Sequence, residues 1–186
     1  MIVRLEVSAL LSRRRASRSI AGSPIPAEVI TELAEAVRLT PSCYNNQPWH
    51  WLFLTSAEAL EIGRECLAKP NLAWAGRAPL LAVLWARRQD DCLLKDGRAY
   101  YAFDCGMSAM NLMLAATAND LIARPMAGYD PAKAAELFKL DADAEVLLFM
   151  AIGYHEPDEG HLPERLVGLG DKPRERKAAD EVVTVL

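Results

Sequence analysis

The sequence predicts a layered α/β or α+β domain in which helices pack on one central sheet. Three strongly apolar segments have the length of buried strands, and segments with helical periodicity lie between them in irregular order. The 186 residues are a usual length for one domain, with 52% hydrophobic and 25% charged residues. Neither an internal repeat nor a linker separates two cores, so we expect a single domain over residues 1–186.

The predicted helices begin at recognisable N-terminal signals. Residues 26–39 begin with proline and carry an apolar stripe, residues 56–66 begin with a serine cap, and residues 130–140 begin with Asp-Pro. Residues 97–119 are apolar nearly all round, which predicts a central helix. The apolar run within this helix is too short to span a bilayer and contains an asparagine, so we expect no membrane partner.

The predicted buried strands are the apolar segments at 50–55, 78–87 and 144–155. The last six residues, 181–186, read EVVTVL and also have a strand-like composition. Residues 156–175 are rich in proline, glycine and charge, with few apolar side chains. We therefore expect residues 156–186 to form an extended C-terminal arm over the surface.

Basic residues form two islands in an acidic chain. The formal net charge is −4 and the sequence pI is about 5.4, which argues against a nucleic-acid partner, since such proteins need a basic surface to neutralise phosphates. Islands of this kind point to a local anionic ligand, although two solvated faces would give the same pattern. Their members are Arg13, Arg14, Arg15 and Arg18 near the start, and Lys172, Arg174, Arg176 and Lys177 near the end.

The cysteines and histidines predict neither a disulfide framework nor a metal site. Cysteines stand at 43, 66, 92 and 105, without the close pairs that are typical of zinc ligands, and the three histidines have no ligand spacing. We expect reduced thiols in a cytoplasmic protein. Nucleophilic catalysis by Cys43 is a less favoured alternative, because a cysteine without a local signature is usually a small buried apolar residue.

The segment TPSCYNNQPWH, residues 40–50, places many amide and hydroxyl groups directly before an aromatic strand. Asn and Gln side chains suit the polar edge of a heterocycle, because each carries both a donor and an acceptor. Arginines suit phosphate because the guanidinium offers paired donors. Together they favour a flat heterocycle with a phosphate tail, for which FMN and a nucleotide are both candidates. No GxGxxG or Walker signature accompanies them.

In order along the chain, these segments resemble those of the nitroreductase family of FMN-dependent oxidoreductases. They are RRRASRSIAGSPIP at 13–26, TPSCYNNQPW at 40–49, RPMAGYD at 124–130, IGYHEP at 152–157 and RERK at 174–177. The resemblance implies an α+β, three-layer fold with a central mixed sheet flanked by helices, in an intertwined homodimer. It further implies transfer of hydride from NAD(P)H by way of FMN to a nitroaromatic, quinone or enal-type acceptor, in ping-pong order. A flavin-binding carrier or sensor without turnover is the alternative.

The resemblance also implies which residues hold the flavin. The phosphate and ribityl chain would be held by Arg14, Arg15, Ala16, Arg18, Arg174 and Arg176, with Ala16 in a position where the family commonly has serine. The second subunit would contribute the loop residues Pro41, Ser42, Cys43, Asn45 and Gln47. Backbone donors at Ala127 and Gly128 would face the reactive flavin nitrogen. We assign no side chain as a catalytic acid or base, since the flavin carries the chemistry.

Overall fold

A four-stranded sheet lies at the centre of the protein in a computed structural model that describes residues 7–170 and 172–186. The strands β1 (His50–Leu54), β2 (Leu80–Arg87), β3 (Leu121–Met126) and β4 (Ala144–Tyr154) are arranged in the order β1-β2-β4-β3. Each of the three pairings is antiparallel. The predicted mixed sheet is therefore wrong for the described part of one chain. An apolar run does not indicate whether a strand is parallel or antiparallel to its neighbours, so strand direction depends on how the strands are connected.

Helices cover both faces of the sheet. The α-helices of the described residues are α1 (Val7–Arg13), α2 (Ala27–Arg38), α3 (Ala57–Cys66), α4 (Lys69–Ala75), α5 (Tyr101–Ala118), α6 (Pro131–Leu137) and α7 (Ala179–Val182). Helices α2 and α5 pack together on one face, while α3 and α6 pack on the other. The result is the three-layer α+β fold that the sequence predicts.

The N-terminal signals in the sequence act as expected. The Ser56 side chain accepts a hydrogen bond from Ala59 N, and the Asp130 side chain accepts one from Lys133 N. The four predicted helices and three predicted strands are confirmed, each slightly shorter than predicted.

The strand β3 was not predicted, because Arg124 and Pro125 interrupt its apolar pattern. Proline is tolerated there because β3 is an edge strand.

The side chains of β2 alternate between two cores. Leu80 and Leu84 point to the α2–α5 side, while Leu81 and Val83 point to the α3–α6 side, and all four are at most 2% exposed. Helix α5 lies along the first of these faces, where Leu112 is fully buried. No helix among the described residues is long and apolar enough to cross a membrane.

The C-terminal segment departs from its prediction in two places. Leu162 and Leu166 are only 7% and 6% exposed, so two short 3₁₀ turns pack against the core, where the sequence suggested a surface arm. The last six residues do not form a strand. The helix α7 ends at Val182, and the residues after it are exposed.

The position of Leu112 gives a test of this core. Truncation by Leu112→Ala should lower the free energy of unfolding by about 2–5 kcal/mol, because it leaves a cavity between α5 and the sheet. The control is Leu39→Ala, at a residue 64% exposed just beyond α2, which should change stability by about 0.5 kcal/mol or less. Urea unfolding at one fixed protein concentration measures both. Similar losses in the two variants would contradict this packing.

Candidate functional site

The two basic islands of the sequence meet in space. They surround a surface cavity of about 180 Å³, which we call the basic pocket. Its polar lining comes from the segment after α1 and from the C-terminal tail, which are far apart in the sequence. The lining residues are Arg14, Arg15, Ala16, Ser17, Leu169, Gly170, Lys172, Arg174 and Arg176. Five of the predicted cofactor-binding residues, Arg14, Arg15, Ala16, Arg174 and Arg176, are thus brought together.

Reciprocal hydrogen bonds hold the two segments of the basic pocket in place. Arg174 donates from Nη1 to the Leu11 carbonyl at 2.9 Å and from Nη2 to the carbonyls of Ser12 and Arg14 at 2.6 and 2.9 Å. These carbonyls lie at the C-terminal end of α1, where helical partners run out. In the other direction, Arg15 Nη2 donates to the Gly170 carbonyl at 2.8 Å. Arg174 therefore has a structural role as well as a charge.

The electrostatics of the basic pocket favour an anion. Partial burial lowers the pKa of Arg14, and the nearby charges of Arg174, Arg176 and Arg15 lower it further. Among the described residues, none of these four arginines has a carboxylate within salt-bridge distance; Asp171 lies outside the described residues. Cations that repel one another in a shared cavity are stabilised by a bound dianion.

Arg18 does not line the basic pocket, although the sequence placed it there. Instead, its charge acts on Arg124, a residue that sequence reasoning missed. Burial, and then the charge of Arg18, lower the pKa of Arg124 to about 10. Arg124 donates to the Ala16 carbonyl and lies 5.4 Å above the Trp74 ring. Arg124 therefore supports the basic pocket from strand β3. The one sequence signal that could have identified it is the presence of an arginine within a strand.

The amide loop, residues 40–49, presents its polar side chains to the surface. Tyr44, Asn45 and Gln47 adopt positive φ values of 48°, 59° and 51°. Ser42 Oγ accepts from Gln47 N at 2.9 Å, and Gln47 Nε2 donates to the Asn45 carbonyl at 3.1 Å. Pro41, Tyr44, Asn45 and Gln47 are exposed, while Ser42 and Cys43 are half-buried. The amide of Asn45 therefore faces outward from its own chain.

Thr40, at the start of the amide loop, accepts from Asn111 Nδ2 of α5 at 2.9 Å, and three further anchors hold the part of the loop around Cys43 to the core. Cys43 N donates to Asp104 Oδ2 at 2.6 Å, and Asn46 Nδ2 donates to Asp91 Oδ1 at 3.2 Å. Cys43 also forms a disulfide with Cys92, with the two Cα atoms 6.2 Å apart. The prediction of reduced thiols is therefore wrong for this pair. The sequence could not reveal it, because 49 residues separate the two cysteines and only the fold brings them together.

Gly128 follows β3 and lies against α4. Its carbonyl accepts from Ala68 N and from Asn71 Nδ2, both at 3.0 Å. A Cβ at Gly128 would lie 2.7 Å from Asn71 Nδ2, so a larger residue here would force the Asn71 side chain away from the carbonyl to which it donates. No described residue accepts a hydrogen bond from the backbone N–H of Gly128 or of exposed Ala127. These donors are therefore free to face a ligand.

Within one chain, the amide loop and the basic pocket lie far apart. Asp104, which holds Cys43, is in the first turn of α5, whereas Asp120, which pairs with Arg13, follows the end of that helix. Helix α5 ends at Ala118, and the fourteen residues of helical rise from Asp104 to that end correspond to about 21 Å. The two elements also flank opposite edges of the sheet, next to β1 and β3. The structure thus brings together only part of the predicted cofactor-binding set.

Inorganic phosphate provides a direct test of the basic pocket. At ten times its Kd, phosphate should stabilise the wild-type protein by about 1.4 kcal/mol and raise Tm by about 3–6 °C. Arg14→Gln should remove most of this rise, because it takes one charge from the cavity. The matched control is Arg38→Gln on α2, where Arg38 pairs with Glu35 at the surface. An equal phosphate response in all three proteins would show that the pocket binds no anion.

Comparisons with known proteins agree with this geometry. The family model described as "Nitroreductase family" matches residues 11–71 and 64–154. A Thermus thermophilus relative named NADH dehydrogenase is 26% identical over 192 residues, covering 87% of this chain and 92% of its own. A Stenotrophomonas maltophilia relative, whose name offers NADH dehydrogenase and NAD(P)H nitroreductase as alternatives, is 27% identical over 165 residues and covers 80% and 84%.

Two solved structures are similar over almost their whole length. An oxidoreductase described as containing FMN has a TM-score of 0.85 and 25% identity, covering 97% of this chain and 92% of its own. A protein of Exiguobacterium sibiricum, solved in complex with FMN, has a TM-score of 0.78 and 19% identity, covering 97% of each chain. The family match spans all four strands of the sheet and the N-terminal side of the basic pocket, and on this evidence the chain belongs to the nitroreductase family.

Proposed function

We propose that the protein is an NAD(P)H-dependent oxidoreductase that holds FMN in a site shared between two copies of the chain. The observation that carries this proposal is the convergence of basic residues from both ends of the chain on one cavity. The names of the relatives and the FMN reported for the similar structures support it. The acceptors that we propose are nitroaromatics, quinones or enals.

The residues of the basic pocket fit the terminal phosphate of FMN. That group is a dianion with several acceptor oxygens, and the cavity offers guanidinium forks of Arg14 and Arg176 together with the Lys172 ammonium. Partial burial, and then the charges of Arg174, Arg176 and Arg15, lower the pKa of Arg14, and a bound dianion would relieve the repulsion. Arg174 contributes mainly its charge, because its donors are already committed to backbone carbonyls.

The remainder of the cofactor would lie along β3 towards Gly128. The basic pocket is near the start of β3, where Arg13 pairs with Asp120, and Gly128 follows the end of the same strand. The free N–H donors of Ala127 and Gly128 suit a ring that gains negative charge on reduction. Bound FMN would supply the two-electron chemistry. NAD(P)H and the acceptor would use the same face in turn, which gives ping-pong order.

The amide loop of a second copy would complete the site. In its own chain the loop is anchored in the first turn of α5, whereas the basic pocket lies beyond the other end of that helix, about 21 Å away along its axis. The amides of the loop nevertheless face outward, and its backbone is fixed in a strained conformation. Such an arrangement suits contact with another molecule. Symmetric pairing would then give two equivalent sites, each with the basic pocket of one chain and the amide loop of the other.

Comparison of FMN with riboflavin tests the phosphate assignment. Arg14→Gln combined with Arg176→Gln should weaken FMN binding by two decades or more, since charge-assisted hydrogen bonds contribute about 1.5–3 kcal/mol each. Riboflavin lacks the phosphate, so its affinity should stay within about threefold of wild type. Fluorescence quenching measures both ligands, with Arg38→Gln as the control variant. Equal losses for the two flavins, or no loss for FMN, would contradict the assignment.

Subunit complementation tests the shared site. A chain with Asn45→Ala and Gln47→Ala loses two hydrogen-bonding side chains from the loop, which should cost about 2 kcal/mol in FMN binding, or roughly 30-fold. Co-expression with the pocket variant, using two different affinity tags, yields a mixed dimer. One of its two sites then combines the intact pocket of the first chain with the intact loop of the second.

The mixed dimer should therefore regain about half of the wild-type high-affinity FMN sites and of the NADH oxidation per dimer. Each variant homodimer should show neither. The same sample also reports the assembly directly, because isolation through both tags requires two chains. A mixed dimer that binds no better than its parents would show that each site lies within one chain.

A further inference from the structure

The Cys43–Cys92 disulfide connects the amide loop to the segment that follows β2. Its two sulfurs differ in accessibility, since Cys43 is half-buried at the surface while Cys92 is only 8% exposed. A chain of 186 residues has enough core to fold without such a bond. The loop precedes β1 and Cys92 follows β2, and these two strands already pair with each other. The fold therefore brings the two cysteines close without the bond, which points to a role other than stabilising the fold.

Polar groups surround the disulfide. Asn46 Nδ2 lies 3.5 Å from Cys92 Sγ, in a position to donate a hydrogen bond to that sulfur. Asp91 and Asp104 are 7% and 1% exposed, and Asp91 Oδ2 has no partner among the described residues. Burial, followed by the charge of Asp91, raises the pKa of Asp104, although the Cys43 N–H opposes this. Asp104 can therefore hold a proton close to the disulfide, and Asn46 can donate a hydrogen bond to one of its sulfurs.

The backbone of the loop next to Cys43 is strained. Tyr44, Asn45 and Gln47 occupy the left-handed region, which costs of order 1 kcal/mol or more for a residue other than glycine. Such conformations persist only where the surroundings enforce them. The covalent bond at Cys43 is the strongest of the three anchors that do so here.

We propose that Cys43 and Cys92 form a reversible dithiol–disulfide site whose oxidised form holds the amide loop in the conformation that binds FMN, an inference that rests on the proposed function. Loss of the bond leaves the part of the loop around Cys43 held to the core by the hydrogen bonds of Cys43 and Asn46 alone. The left-handed residues then relax, and the amides of Asn45 and Gln47 lose their fixed placement. Reduction should lower FMN affinity about three- to tenfold.

A dithiol is the class of reductant that the geometry suits. Its thiolate attacks the accessible Cys43 Sγ, the S–S bond breaks, and the electron pair passes to Cys92 Sγ. Asn46 donates to the sulfur that leaves, and a proton completes the Cys92 thiol. The second thiolate of the reductant then closes its own disulfide and releases Cys43. The protein gains two electrons and two protons, and the dithiol loses the same number.

The other two cysteines serve as internal controls. Cys66 and Cys105 are 1% exposed, and burial raises the pKa of their thiols to about 11 and about 12. A thiol with so little thiolate at neutral pH reacts slowly, so both should remain reduced under mild oxidants. Alkylation in denaturant, followed by peptide mass spectrometry, should therefore find two free thiols in the oxidised protein and four after treatment with dithiothreitol.

FMN and riboflavin affinities of the oxidised and reduced wild-type protein provide the main test. Affinity for FMN should fall three- to tenfold on reduction and return after reoxidation. Cys92→Ser and Cys43→Ser should both bind as the reduced wild type does, whatever the redox conditions. The control Cys66→Ala should keep the full redox response. Cys66 is the last residue of α3 and lies in the core on the α3–α6 side of the sheet, away from the disulfide.

Three outcomes would overturn the inference. They are equal FMN affinity in both redox states, four free thiols after oxidation, or stoichiometric zinc on the reduced protein, which would make the cysteines and Asp91 a metal site. The proposed function fails differently. Absence of FMN binding in both states would refute it together with the link between the disulfide and FMN, whereas equal binding refutes only the redox site.

Discussion

Burial of the central strands on both faces is the constraint on which the rest of the structure depends. Strand β2 sends apolar side chains to two cores, and β4 beside it is buried on both faces over residues 149–153, so neither face can be left to water. Helix α5 covers one face, and its length fixes how far apart its ends are. The amide loop is anchored at its first turn and the basic pocket lies beyond its last. A requirement of packing thus separates the two parts of the proposed site.

The basic pocket illustrates how a binding site can work against stability. Cations from both chain ends share one cavity, and partial burial together with their repulsion lowers the pKa of Arg14. Arg174 offsets part of this cost, because it supplies partners to carbonyls at the end of α1. Arg124 adds support from below through the Ala16 carbonyl. A solvated basic face would need none of these supports, so the arrangement favours a site whose ligand is an anion.

The sequence was informative where local chemistry decides the structure. Apolar runs, the Ser56 cap and the Asp130 cap predicted most helices and strands, and clustered arginines predicted an anion site. It was uninformative where tertiary packing decides. Strand direction, the burial of Leu162 and the Cys43–Cys92 bond all depend on segments that only the fold brings together. Arg124 was missed for the same reason, since a single arginine in a strand does not indicate what it supports.

The amide loop shows why a polar segment can directly precede a core strand. Pro48 and Trp49 are buried, so the chain enters the core within one residue of the exposed Gln47. Such a sharp change requires a backbone that is fixed in place, and the left-handed residues, the Asp104 carboxylate and the disulfide supply it. If the Asn and Gln side chains served only as hydrogen-bond partners for the nearby backbone, the loop would not need exposed amides in a strained conformation. Because strained residues cluster at binding and active sites, this geometry supports the proposal that the loop contacts another molecule.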